Sequence, residues 1–147
     1  MRIRATVLVI RQQAVLLVRE RGGPWLLPGE TVEPDELTMV VAIRALYEGT
    51  GVEANAAAFL FQQVSAHHLH HVFRIAIPDD LHPRAAFGSG LDDLCWVDAS
   101  QLANVHTTPG TRSILNRALG VSHDTTKSTW RENGARVGIG KRWRGTP

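Results

Sequence analysis

Residues 25–52 read WLLPGETVEPDELTMVVAIRALYEGTGV, and this stretch decides the fold. It opens on an apolar triplet, Trp25-Leu26-Leu27, followed by Pro28-Gly29. Glu30 to Glu36 is acidic and turn-like, with Pro34 inside it. From Leu37 to Tyr47 there is neither Gly nor Pro, which predicts a helix of about three turns. Asp35 suits its N-cap, and Glu36 in the first turn complements the helix dipole. Gly49 and Gly51 are expected to end it. The helix is apolar nearly all round (Leu37, Met39, Val40, Val41, Ala42, Ile43, Ala45, Leu46), so burial on more than one side is expected. Its main charges, Arg44 and Glu48, lie four apart on one face.

Working outward, Ile3 to Ile10 alternates apolar and polar residues at its start and reads as a strand. Ala14 to Val18 is a short continuous apolar run, suited to a buried strand, and the two suggest a hairpin across Arg11-Gln12-Gln13. Downstream, Val52 to Ala66 and His71 to Ile77 read as strands, with His67 to His71 between them. Pro78 to Gly90 is loop, and Leu94 to Val97 a short strand. Asp98-Ala99-Ser100 starts a helical turn, and Pro109 opens a second helix that runs to Leu119 and stops at Gly120. Phe59, Phe61 and Phe73 read as core. The order of strands, helix, strands and helix is a mixed α/β layout with helices packed on a sheet.

The quoted stretch resembles the signature of the Nudix hydrolases, G-x5-E-x7-R-E-U-x-E-E-x-G-U with U a bulky aliphatic. Glu36, Arg44, Leu46, Glu48, Gly51 and Val52 stand at matching positions, and Trp25, Leu27, Pro28 and Gly29 match the usual lead. Asp92 to Val97 resembles the acidic-then-Trp strand that follows the variable loop in that family. The resemblance spans roughly residues 1–120. It implies an α/β/α sandwich, a mixed sheet carrying the loop-helix and a C-terminal helix. It also implies hydrolysis of a nucleoside diphosphate linked to another moiety, with Mg²⁺ or Mn²⁺. Glu36 and Arg44 would brace the loop against the helix, Gly29 would belong to the same structural motif, Gly51 would permit the turn into the next strand, and Glu48 would be both catalytic and a metal ligand.

Three positions depart from the pattern. The first Gly is Glu30, the Glu after Arg is Ala45, and the second Glu of the pair is Gly49. Positions 45, 48 and 49 share one helical face. Three carboxylates there would make a strong site for a hard cation that prefers six oxygens, whereas one makes a weak site. Two readings follow. The chain is a pyrophosphohydrolase of weakened power, or it keeps the fold to bind a nucleotide as a sensor without turnover. Asp92 and Asp93 are the foremost replacement ligands, because the family often adds a late acid from that region. Glu30, Glu33, Asp35, Asp79 and Asp80 read more simply as surface or turn carboxylates.

His67, His68, His70 and His71 form the densest ionisable cluster. In an extended chain His68 and His70 share one face, where they would bind a metal or phosphate, or simply lie at a sheet edge. Arg19 and Arg21 at the end of the second strand would face substrate phosphates by the same resemblance, or merely finish the strand. Cys95 reads as an inert thiol in an apolar strand.

The composition fits one globular domain: 147 residues, 44% apolar and 20% charged, with one cysteine, which excludes a disulfide framework or a multi-cysteine zinc site. No apolar run is long enough to span a membrane, and no signal-peptide layout opens the chain, so a cytoplasmic location is expected. The formal charge of +2 is unevenly placed. Residues 1–120 carry ten Lys+Arg against twelve Asp+Glu, and residues 121–147 carry six against two. The basic tail, 121–147, is thus set apart from a domain at 1–120. Its charges are too dispersed to predict a nucleic-acid partner. A nucleotide-type small molecule is the expected partner, and a homodimer is compatible with the sequence.

Overall fold

The computed structural model describes residues 1–120, and the basic tail lies outside them. Two four-stranded sheets stand between two helices. The first sheet has the order β5-β1-β7-β6, from β5 (Gly29–Thr31), β1 (Arg2–Leu8), β7 (His68–Arg74) and β6 (Ala58–Val64). It is mixed: β1 runs parallel to β7, while β1–β5 and β6–β7 are antiparallel. The second is antiparallel and built around β3 (Ala14–Glu20), which pairs with β2 (Ile10–Arg11), β4 (Trp25–Leu26) and β8 (Leu91–Val97).

The expected first strand is therefore two. Ile3 to Leu8 belongs to the mixed sheet, and Ile10–Arg11 crosses to the other to form the hairpin with Ala14–Val15. Gln12 and Gln13 take φ of 49° and 74°, the left-handed pair that a tight hairpin turn of matching twist requires. An Asn-Gly pair is the usual solution, and here two glutamines bear the strain.

Alternation along the strands divides the core in two. Ala5, Val7, Val9, Leu16, Phe73 and Ile75 pack beneath α1 (Thr38–Thr50) with Val41, Ala42 and Leu46. Leu8, Val15, Leu17, Val72 and Val97 pack beneath α2 (Pro109–Leu119) with Ile114, Leu115 and Leu119. Each fully buried Leu or Ile here contributes on the order of 1.5–3 kcal/mol. α/β/α is thus the layering that the sequence implies.

Several boundaries differ from expectation. α1 starts at Thr38, so its N-cap is Leu37 and not the expected Asp35; Leu37 has no polar atom to cap with, and Glu36, outside the helix, bonds Arg44 and Glu33 N–H. Gly49 lies inside the helix. Gly51, at φ 78°, is the C-cap, and its N–H donates to Tyr47 O. Only one face of α1 is buried. Leu37, Met39, Val40 and Tyr47 are exposed, since a single sheet face supports this helix. β6 is shorter than the expected Val52–Ala66, β7 begins earlier at His68, and β8 begins at Leu91. Phe73 is core, but Phe59 is half exposed and touches it only edge-on at 5.6 Å between centroids. α2 forms as its punctuation predicts: Thr108 Oγ1 accepts from Thr111 N–H, Pro109 fills the first turn, and Gly120 at φ 68° closes it. Among the described residues, no helix is long and apolar enough to cross a membrane.

Candidate functional site

A cleft of about 500 Å³ lies where the end of β3, the start of β5, one face of α1 and the loop before β8 meet. Its polar lining is Arg4, Glu20, Glu30, Glu48 and Ser89, and its apolar lining includes Val18, Leu26, Ala45, Phe87 and Leu91.

The loop between β5 and α1 is fixed by ionic contacts. Arg44 donates through Nη1 to Glu36 at 2.8 Å and through Nε to Glu30 at 3.3 Å. Glu36 Oε1 also accepts from Glu33 N–H at 3.0 Å. The Arg44 hydrogen bond, then the Glu33 N–H, hold the Glu36 carboxyl below its ordinary range, and the two carboxylates raise Arg44. Glu30, the residue at the pattern's first Gly, thus becomes a second anchor for Arg44. Gly29 has a steric cause. A Cβ there would fall 2.5 Å from Ala5 O and 2.9 Å from the Arg4 guanidinium, so only Gly lets β5 approach β1.

Glu48 lines the cleft from α1 beside Ala45 and Gly49. Neither neighbour carries a carboxylate. The place where a side chain at 49 would emerge is covered: Leu91 Cδ1 stands 3.1 Å from an ideal Cβ on Gly49. The loop before β8 is tied to the same end of the helix. Ala86 N–H donates to Gly49 O at 2.9 Å and Arg84 N–H to Thr50 O at 3.3 Å.

Among the described residues, no group of three or more His, Cys, Asp or Glu is placed to hold a metal ion. A hard cation prefers six oxygens and keeps several as water. The single helical carboxylate does not fit an ion caged by the protein alone.

The other candidates sit elsewhere. Arg19 is absent from the cleft lining. Its guanidinium lies over Trp25 at 4.8 Å and pairs with Asp92 at 3.4 Å and Asp93 at 3.8 Å. Asp92 and Asp93 are therefore engaged with Arg19, and neither lines the cleft beside Glu48. Arg21 is exposed beyond the end of β3 and also outside the lining. The period of two explains the pattern: Leu16 packs on the α1 side, so Val18 and Glu20 follow it to the cleft, while Arg19 follows Leu17 to the opposite face.

His68 and His70 share the face of β7 whose register partners are Arg2 and Arg4. His70 is buried, with Nδ1 2.8 Å from Thr6 Oγ1 and Nε2 3.0 Å from Ser65 Oγ. Burial, then Arg4 and His68, push its pKa down to about 4, so it is neutral and structural under the start of α2. His68 is also pushed down, by burial and then by Arg4 and Arg2. Neither imidazole lines the cleft. Cys95 is partly buried, and burial followed by Asp93 raises its thiol to about 11, which leaves it unreactive.

Arg4, Glu20, Leu91 and Phe87 line the cleft without belonging to any motif. Arg4 belongs to the polar side of the alternation at the start of β1, with Arg2 and Thr6. Its guanidinium donates to Leu27 O at 3.0 Å. Burial lowers its pKa while Glu20 and Glu30 raise it, and an Arg so placed keeps its proton.

This geometry has a family. The model of the NUDIX domain matches residues 1–117, and the chain belongs to the Nudix family. Nudix hydrolases generally use divalent metal ions. Solved structures give the same fold. A MutT Nudix hydrolase from Burkholderia pseudomallei is 22% identical, with a TM-score of 0.66 over 78% of this chain and 95% of that one. The E. coli dihydroneopterin triphosphate pyrophosphohydrolase is 14% identical, with a TM-score of 0.65 over 82% and 96%. RenU, a Nudix hydrolase from M. smegmatis, is 20% identical, with a TM-score of 0.61 over 84% and 87%. No curated protein matches the sequence.

Proposed function

We propose that this Nudix protein binds a nucleoside diphosphate linked to another moiety in the cleft, and that it hydrolyses that ligand only weakly. The observation that carries this reading is the helical face of α1. It presents one carboxylate, Glu48, between Ala45 and Gly49, with Leu91 packed over the second of these. Hydrolysis adds a water oxygen to phosphorus, breaks a bridging P–O bond and moves the water's proton to a base. Negative charge on the phosphates must be balanced as this happens. In this reading Glu48 takes the proton and Arg4 is the positive charge that orients the phosphates, both of them lining the cleft. With one carboxylate on the helical face, the charge balance falls largely to Arg4. Binding is thereby retained better than turnover.

Titration calorimetry with nucleoside diphosphates, sugar nucleotides and dinucleoside polyphosphates tests the reading, with product release followed on the same samples. Micromolar to millimolar binding that Arg4→Ala weakens at least tenfold, with little release, is the expected result. No binding across the panel would overturn it.

One observation favours a second reading, in which hydrolysis is re-routed. Glu20 and Glu30 line the same cleft as Glu48, from β3 and β5. In that case turnover is ordinary, and Glu20→Gln or Glu30→Gln lowers it as far as Glu48→Gln does.

A further inference from the structure

Phe87 is fully exposed, at 106% of the reference value, yet it lines the same cleft as Arg4 and Glu48. Isolated exposed apolar residues are ordinary on protein surfaces. Phe87 differs in its position and in how firmly that position is set. Ser89 N–H donates to Ala86 O at 3.0 Å, and Gly88 has φ +81°. These are the marks of a type II β-turn with Phe87 at its second residue and Gly at its third. The turn is fastened on both sides. Before it, Ala86 N–H and Arg84 N–H donate to Gly49 O and Thr50 O, in the last turn of the helix that carries Glu48. After it, Leu91 N–H donates to Ser89 Oγ at 3.1 Å. The backbone that presents the ring is therefore held in register with α1, and among the described residues nothing covers the ring.

We propose that Phe87 is the stacking platform for the flat aromatic group of the cleft's ligand, so that the ligand is a phosphorylated compound bearing a nucleobase. This rests on the nucleotide reading above and deepens it by naming the residue that holds the base. The lining offers two kinds of contact. Arg4 offers a cation to phosphate oxygens, while Phe87, with Val18, Leu26 and Leu91 on the walls, offers apolar surface. A base laid on the ring removes two apolar faces from water at once, and every base has a π-face to offer. Such a contact gives affinity with little discrimination among bases. Because the turn is already formed, little ordering accompanies binding.

Calorimetric titration of wild type, Phe87→Ala and Phe87→Trp with ADP, CDP and inorganic pyrophosphate tests the assignment. Pyrophosphate has the charge but no base. Loss of one base–aromatic stack corresponds to roughly tenfold in affinity. Phe87→Ala should weaken ADP and CDP about tenfold and leave pyrophosphate unchanged, and Phe87→Trp should restore the nucleotides. Unchanged nucleotide affinity in Phe87→Ala would overturn the platform while leaving the nucleotide reading intact. Equal weakening of ADP and pyrophosphate would do the same, because it would mean that the turn, not the ring, matters. If wild type binds neither ADP nor pyrophosphate, the nucleotide reading falls and the platform falls with it. The side chain is wholly exposed, so these variants are expected to fold as wild type does.

Discussion

Leu91 Cδ1 stands 3.1 Å from the point that a Cβ on Gly49 would occupy. In the Nudix pattern that position carries a carboxylate. Here position 49 is a glycine, and a methyl group of β8 stands beside it. A side chain at 49 therefore requires Leu91 Cδ1 to give way by a few tenths of an ångström.

This coupling gives the first prediction. Ala45→Glu/Gly49→Glu places three carboxylates on one helical face, but the second is crowded. Adding Leu91→Ala relieves it. Titration of Mn²⁺ should show the triple variant binding at least tenfold more tightly than the double variant, and the double little better than wild type. Equal affinities in the two variants would show that Leu91 does not govern the position.

Gly29 supports a prediction about stability. A Cβ at that residue would overlap Ala5 O, which is backbone and cannot turn aside. Gly29→Ala should lower unfolding free energy by about 1–3 kcal/mol, the usual cost of overpacking. Denaturant titration of the two proteins measures it, and an unchanged midpoint would contradict the steric account.

These two glycines show how unevenly the sequence exposes its structure. Where structure is written in local chemistry it was legible. Pro109 and Gly120 bracket α2, and the motif from Trp25 to Val52 announces the loop-helix. The cleft was harder to read because strand phase decides it. Ala14 to Val18 is buried on both faces, so no alternation says whether Arg19 or Glu20 faces α1. Only the packing of Leu16 and Leu17 on opposite sides fixes it, and it selects Glu20. The helix start was misplaced for a related reason. Glu36 looks like a first-turn residue, but its carboxylate bonds Arg44 and Glu33 N–H, and the helix begins two residues later. Arg4, Phe87 and Leu91 carry no motif at all and come together only through the fold.

His70 predicts a dependence on pH. Its folded pKa of about 4 lies below the ordinary value near 6.5, so the unfolded chain takes up a proton first as pH falls. Stability is therefore undiminished above about pH 6.5 and is lost progressively as pH drops toward 4. At about 1.4 kcal/mol per unit, the loss is on the order of 3 kcal/mol. Arg4 and His68 face the same ring and act in the same direction. Chemical denaturation between pH 7 and pH 4.5 should show the decline in wild type and a shallower one in His70→Asn. Equal slopes would refute the assignment.

Arg11 bears on the loop that shapes the cleft. Its Nη2 donates to Pro78 O at 2.8 Å and to Leu81 O at 2.6 Å, and its guanidinium lies 4.8 Å from the Trp96 ring centroid. It thus holds the start of the loop whose far end bears Phe87. Arg11→Lys keeps the charge but loses the planar fork. Faster amide exchange across residues 78–86 is expected, with a stability loss of about 2 kcal/mol. Unaltered exchange there would mean that the loop is held from its α1 side alone.

The central claim is a nucleotide cleft that binds better than it cleaves. The most direct measurement is ³¹P NMR of the wild-type protein with ADP and with a sugar nucleotide, followed over time in Mg²⁺. Diphosphate resonances should shift or broaden at once, with conversion far slower than the roughly 1 s⁻¹ or more of an ordinary enzyme. Resonances that stay unperturbed, or that convert at an ordinary rate, would contradict the claim.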